Sequence, residues 1–153
     1  MSQYTIVEKP QALLKVEEGF LLMVVNKTYR LSGIPLTMFV KWAKLHDVYK
    51  TATQDKKPIG TLLPVKVGDN LFVPAILCEY INEQGDRVIS YEGMLMGLKT
   101  LAEYFKKNPN KTLYVPTGVA SGATNSDWLM VKEMISNTLK DVVNIVYCTV
   151  LDE

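Results

Sequence analysis

Hydrophobic and polar positions fall into blocks along this chain, and the blocks switch between two periods. Residues 20–25, Phe-Leu-Leu-Met-Val-Val, form a continuous apolar run between Gly19 and Asn26. A run of that length predicts a strand covered on both faces, as the central strands of an α/β sheet are. Residues 4–7 predict a short strand before it. After Gly33, Pro35 is tolerated in a first helical turn, and Leu36, Phe39, Val40 and Ala43 recur at i, i+3, i+4 and i+7. That spacing predicts a helix over 36–44, with Lys41, Lys44 and His46 toward its carboxyl end. Residues 51–57 are polar and predict a loop. Residues 61–66 and 71–81 predict two strands joined by Val67-Gly68-Asp69-Asn70, a hairpin signal, and residues 82–88 predict a polar turn.

The clearest helical stripe is Tyr91, Met94, Leu95, Leu98, Leu101, Ala102 and Phe105, with Ser90 as its cap and Lys106-Lys107-Asn108-Pro109 as its stop. Residues 112–115 then predict a short strand and 116–125 a glycine-containing loop. Trp128, Val131, Ile135 and Leu139 predict a last helix, and residues 142–150 a closing strand. Strands alternating with helices predict an α/β protein with a mixed, mostly parallel sheet and helices on both faces. No repeat of 20–50 residues and no low-complexity stretch divides the chain, so residues 1–153 are expected to form a single domain.

Composition narrows the functional classes. The chain has 153 residues, 48% hydrophobic, with 17 Lys+Arg against 16 Asp+Glu, a net charge of +1. Such a balance supplies no long-range field for nucleic acid. The run at 20–25 is too short to cross a bilayer, and residues 1–10 lack the cationic-then-apolar pattern of a signal peptide, so a cytoplasmic location is expected. Cys78 and Cys148 lie far apart and within strand-like runs, which predicts inert buried thiols, no zinc site and no disulfide. His46 is the single histidine. Near a helix end it reads as a surface cation, which leaves histidine-based catalysis and metal ligation without their usual partner.

Ligands of open α/β sheets bind where strands lead into helix amino termini. Two segments have that grammar: residues 26–35, which include Asn26, Ser32, Gly33 and Ile34, and residues 116–126, which include Gly118, Val119, Ala120, Ser121, Gly122, Ala123 and Thr124. Small side chains leave backbone N–H groups uncovered and a helix amino terminus adds positive potential, so a phosphate can lie against either loop. Neither segment is a P-loop or a dinucleotide fingerprint, and a small-residue loop also serves as a plain tight connection. Tyr29, Tyr80 and Trp128 are candidates to stack on a base, although Trp128 equally fits the core stripe of its helix. Glu79, Glu83 and Asp86 either approach a ligand from the end of the long strand or are solvated turn residues.

The order of elements and the two loops give the chain a resemblance to a family. Val24-Val25-Asn26, followed by Arg30-Leu31-Ser32-Gly33-Ile34 and the helix after it, is similar to the strand, loop and helix of a macro domain, the ADP-ribose-binding module. Residues 116–128, ending in Asp127-Trp128, resemble that family's second loop and last helix. Pro58-Ile59-Gly60-Thr61 and Ser90-Tyr91 match the turn before its third strand and the tyrosine before its penultimate helix. The likeness spans nearly the whole chain and points to the branch that includes hydrolases of ADP-ribosyl-glutamate and of ADP-ribose-1″-phosphate. In departure from the family, Glu8-Lys9-Pro10 stands where it has the Gly-Asp that reads adenine. Residues 79–81 and Thr124 stand where its glutamate-linkage hydrolases have a lysine and an aspartate.

The resemblance implies a three-layer αβα macro-like fold and the binding of ADP-ribose or a related nucleotide diphosphate between the two loops, with no cofactor. Three functions follow from it. The first is a binding module. The second is a phosphatase or de-ADP-ribosylating hydrolase in which Asn26 orients the distal ribose and Thr124 or Asp127 positions water. The third is a degenerate interaction or inhibitory protein with a protein partner, of the kind a phage encodes.

Overall fold

The computed structural model describes residues 3–119 and 126–151. Its eight strand segments are β1 (Ile6–Ala12), β2 (Glu18–Leu21), β3 (Met23–Asn26), β4 (Leu62–Lys66), β5 (Asn70–Ile81), β6 (Arg87–Ile89), β7 (Thr112–Pro116) and β8 (Asn144–Val150). The helices are α1 (Gly33–Lys41), α2 (Ala43–Gln54), α3 (Tyr91–Lys107) and α4 (Trp128–Leu139). In the sheet β1, β8, β7, β2 and β5 lie side by side and parallel, and β3 continues β2 along the same edge of β5. β4 and β6 pair antiparallel with the other edge of β5.

The apolar run at 20–25 supplies the centre of this sheet, and its alternate residues build two cores. Phe20, Leu22 and Val24 pack with α3 and α4, together with Met94, Leu98, Phe105, Val131 and Ile135. Leu21, Met23 and Val25 pack on the opposite side with Met38, Phe39, Leu45 and Tyr49 of α1 and α2. The molecule is therefore a three-layer αβα sandwich with a mixed, mostly parallel sheet. Every residue from Phe20 to Asn26 is buried. Among the described residues, no helix is long and apolar enough to cross a membrane.

Several predicted boundaries move. The strand at 20–25 is interrupted at Leu22, whose N–H donates to Tyr114 O at 2.9 Å, yet Phe20 opposite Phe72 and Met23 opposite Ala75 keep one register across the break. The first strand runs to Ala12, past Pro10; an edge strand tolerates a proline because one row of its backbone groups needs no partner. The helix predicted over 36–44 ends at Lys41. Trp42, with extended φ −123° and ψ 92°, separates it from α2, so Lys44 and His46 belong to the amino-terminal half of a second helix. That helix absorbs most of the loop predicted at 51–57, because Leu45, Tyr49 and Ala52 form a buried stripe at i, i+4 and i+7. Within the predicted turn at 82–88, Asn82 Oδ1 accepts from Gln84 N and Asp86 N and Gly85 takes φ +84°. The turn is short enough for Arg87 and Val88 to return as β6.

α3 lies close to β5 at Gly97 and close to the Ile59–Gly60 turn at Gly93. A Cβ on Gly97 would stand 2.6 Å from Cγ2 of the fully buried Ile76. Alanine is the better helix former by about 1 kcal/mol, but overpacking a tight core costs about 1–3 kcal/mol. Gly97→Ala is therefore expected to lower the urea unfolding midpoint despite its helix propensity. An unchanged or raised midpoint would show that Ile76 has room to turn aside.

Candidate functional site

β2 bonds to β7 only at its own end, Phe20 opposite Leu113 and Leu21 opposite Tyr114, and beyond Leu22 the chain pairs with β5 alone. A crevice opens where β3 and β7 part, at the carboxyl ends of the parallel strands. Ligands are held at such points in open α/β sheets. The cleft has a volume of about 480 Å3, within the roughly 300–1,000 Å3 of small-molecule sites. Its floor is β3. Ser32, Gly33, Ile34 and Pro35 form one side, Gly118 and Val119 another, and Arg30, Glu79 and Arg87 close the polar end.

Asn26 ends the buried strand and is 3% exposed. Its Oδ1 accepts from Thr28 N at 2.9 Å and from Thr28 Oγ1 at 2.8 Å, a turn that fixes the amide orientation, since only an oxygen can accept from that N–H. The Nδ2 of Asn26, buried at the cleft, has no hydrogen-bond partner among the described residues. Leaving a buried donor unmade costs about 1–3 kcal/mol. The loop beyond is pinned by the Tyr49 hydroxyl, which accepts from Arg30 N at 3.0 Å and donates toward Asn26 O and Thr28 O, each at 2.9 Å. Burial raises the Tyr49 pKa, which keeps the phenol protonated. Its ring is stacked between Tyr29 and Phe39, so α2 is the platform that holds Asn26 and its loop.

The two helix amino termini differ. Ser32 stands at the cap position of α1 with extended backbone and makes no capping bond. Its Oγ instead accepts from Arg87 Nη1. The first amides of α1, at Gly33 and Ile34, have no acceptor within the helix, and both residues line the cleft at the positive end of the helix dipole. In α4 the cap is made: Asp127 Oδ1 accepts from Leu129 N at 3.0 Å. The α4 terminus thus carries its own anion, whereas the α1 terminus does not. Asp127 is engaged as this cap and does not line the cleft.

Glu79 sits opposite Asn26 in the β3–β5 register, because a bulge leaves Cys78 as an extra residue between Leu77 and Glu79. Desolvation pushes its pKa up to about 7, against the lowering influence of Arg87. Cys78 and Cys148 are buried, and desolvation raises both thiols, Cys148 to about 11, so neither is a nucleophile at neutral pH.

Of the residues singled out in the sequence, Asn26, Ser32, Gly33, Ile34, Gly118 and Val119 come together in one cleft. Ala120, Ser121, Gly122, Ala123 and Thr124 lie outside the described residues. Tyr80 is absent from the cleft lining; it follows Glu79 in β5, half-exposed opposite Val88. Trp128 packs edge-on to Tyr147 at 5.8 Å, against the α3–α4 core, and Tyr29 is stacked on Tyr49 with its hydroxyl on His46 Nε2. None of the three aromatic candidates lines the cleft. Glu83 and Asp86 are exposed turn residues, whereas Glu79 enters the site. Among the described residues no cluster of His, Cys, Asp or Glu is placed to hold a metal ion. Sequence reasoning missed Arg30, Arg87 and Tyr49. The Gly85 turn followed by Arg-Val-Ile was a hairpin signal that would have brought Arg87 back beside Glu79.

The sequence matches no protein-family profile and no curated protein. Solved structures match over nearly the full length. A protein of unknown function from Bacteroides thetaiotaomicron aligns over 97% of this chain and 100% of its own at TM-score 0.79 and 17% identity. The macrodomain of Mycobacterium tuberculosis DarG aligns over 95% of this chain and 99% of its own at TM-score 0.76 and 18% identity. The fold is that of a macrodomain. Thermosipho africanus DarTG, solved in complex with ADP-ribose, contains a similar region, matching 97% of this chain and 42% of its own at TM-score 0.75 and 15% identity. At such identities the likeness shows the architecture alone, and the chemistry rests on this chain's own residues.

The half-buried carboxylate of Glu79 makes stability pH-dependent. Glu79 has a folded pKa near 7 against an ordinary 4.5, so ionising it in the folded protein is unfavourable. The penalty is absent below the lower value and complete above the upper one, where it reaches about 3 kcal/mol at 1.36 kcal/mol per unit. Glu79→Gln is expected to stabilise the protein at pH 8, with the gain fading toward pH 5. Thermal unfolding at both pH values checks this; a gain independent of pH would contradict it.

Proposed function

We propose that this macrodomain binds ADP-ribose or a related nucleotide diphosphate in the cleft between β3 and β7. The observation that carries this reading is the Nδ2 of Asn26, a buried donor held rigid by its own turn, unpartnered, and placed where two strand-to-helix loops meet. Buried polar atoms in folded proteins almost always have a partner, so an orphan fixed at the floor of a cleft marks a position completed by a ligand. The diphosphate lies against the amides of Gly33 and Ile34 beside Ser32, with Gly118 and Val119 on another side of the cleft. Arg30 and Arg87 add two guanidinium groups at the polar end, so this protein supplements backbone donors with local cations while its net charge stays at +1. A terminal sugar then reaches Asn26. The ADP-ribose in the Thermosipho africanus complex supports the choice of ligand.

Calorimetry with ADP-ribose is expected to show saturable micromolar binding. Asn26→Asp keeps the Oδ1 acceptor for Thr28 but replaces the free donor with an acceptor, and it should weaken binding at least tenfold, about 1.4 kcal/mol. No heat at millimolar ADP-ribose would overturn the reading.

A further inference from the structure

We propose that Glu79 is the specificity-determining residue of this cleft: its carboxylate accepts hydrogen bonds from the free hydroxyl groups of the ligand's terminal sugar and shuts out ligands that carry a phosphomonoester there. The proposal rests on the binding reading above and commits that site to one ligand class, uncapped sugar diphosphates.

The geometry is that of an acceptor left open beside a donor left open. The bulge at Cys78 sets Glu79 opposite Asn26 on the neighbouring strand, and Lys27 N donates to Glu79 O at 2.9 Å, which ties the two strand ends together. Both residues line the cleft. The ion pairs among the described residues are Lys106–Glu103 and Lys132–Glu8, beside a His46–Asp47 contact, and Glu79 enters none of them. Arg87, the cation whose charge Glu79 feels, places Nη1 on Ser32 Oγ. A partly desolvated carboxylate without a direct partner destabilises the fold, and its position beside the orphan amide of Asn26 pairs one unmet acceptor with one unmet donor.

The chemistry follows from the inventory of atoms. An ionised carboxylate can only accept, and two hydroxyls of a ribose can donate to its two oxygens while Asn26 Nδ2 donates to a sugar oxygen. A phosphomonoester carries nearly two negative charges at neutral pH and can only accept once ionised, so at this position it meets repulsion in a site of reduced dielectric. The cations Arg30 and Arg87 are then left to the diphosphate.

The groups facing Glu79 are Arg87 from β6, Arg30 from the loop after β3, Tyr49 from α2 and Cys78 beside it in β5. Arginine stays charged, and burial raises Tyr49 and Cys78 above their ordinary values, so among these five groups Glu79 alone changes charge near neutrality. Discrimination is therefore weaker at pH 6 than at pH 8.

The test is calorimetry of ADP-ribose and ADP-ribose-1″-phosphate with the wild-type protein, Glu79→Gln and Glu79→Asp at pH 6 and pH 8. Wild type is expected to prefer ADP-ribose at least tenfold at pH 8 and less at pH 6. Glu79→Gln should bring the two ligands within threefold at pH 8 and lose the change in preference with pH beyond that of the ligand's own phosphate. Glu79→Asp, which restores the charge, should restore the exclusion. A preference that Glu79→Gln leaves unchanged overturns this proposal and leaves the binding reading standing. Failure of wild type to bind either ligand overturns both.

Discussion

The central strand of this protein is buried on both faces, and the rest of the molecule is arranged around that constraint. From Phe20 to Val25 every side chain enters one of two hydrophobic cores, odd positions against α1 and α2, even positions against α3 and α4. Such a strand cannot carry a polar group along its length, because an unpaired one would cost more than its neighbours could return. Polar chemistry is displaced to the strand end, where Asn26 is the first polar side chain, and to the crevice formed as β3 parts from β7. The site lies where it does because the core leaves it nowhere else.

Buried side-chain polar atoms elsewhere in the described structure find partners. Ser90 caps α3 by accepting from Gly93 N, Asp127 caps α4, and the buried Tyr147 hydroxyl is shared between Ser136 and Lys132 O. Around the cleft the pattern reverses. Asn26 keeps a buried donor unpaired, Ser32 declines to cap α1, and Glu79 is desolvated without an ion pair. Loose packing does not account for this, since Tyr49 fixes the backbone on which Asn26 and Arg30 stand. A rigid frame with unmet polar groups gathered at one cleft is a preorganised site, in which the ordering cost is met during folding and not on binding.

Six of the residues chosen from sequence meet in the cleft because strand-to-helix loops with small side chains have a fixed place in a parallel sheet. Residues that reach the site by another route were harder to read. Arg87 arrives through a tight hairpin at Asn82–Gly85, and its three-residue strand is too short to show a period. Glu79 had two readings, ligand-facing or solvated, and its direction hangs on a single bulge residue, Cys78, which no local pattern announces. Tyr49 sat in a helix broken at Trp42, so the periodicity that would have marked it as buried was out of phase with the helix before it.

By itself the sequence determined the α/β class, the doubly covered central strand and the two loops that frame the site, because burial on one or both faces writes a period into neighbouring residues. Tertiary structure alone decided which polar groups go unpartnered. Asn26 and Glu79, or Ser32 and Arg87, are far apart along the chain, and whether a donor finds an acceptor depends on strand register, a bulge and a hairpin that bring them within reach. Charge at the site is decided in the same way: a composition of nearly balanced charge becomes two arginines and one desolvated glutamate around a single cleft only when β3, β5 and β6 are laid side by side.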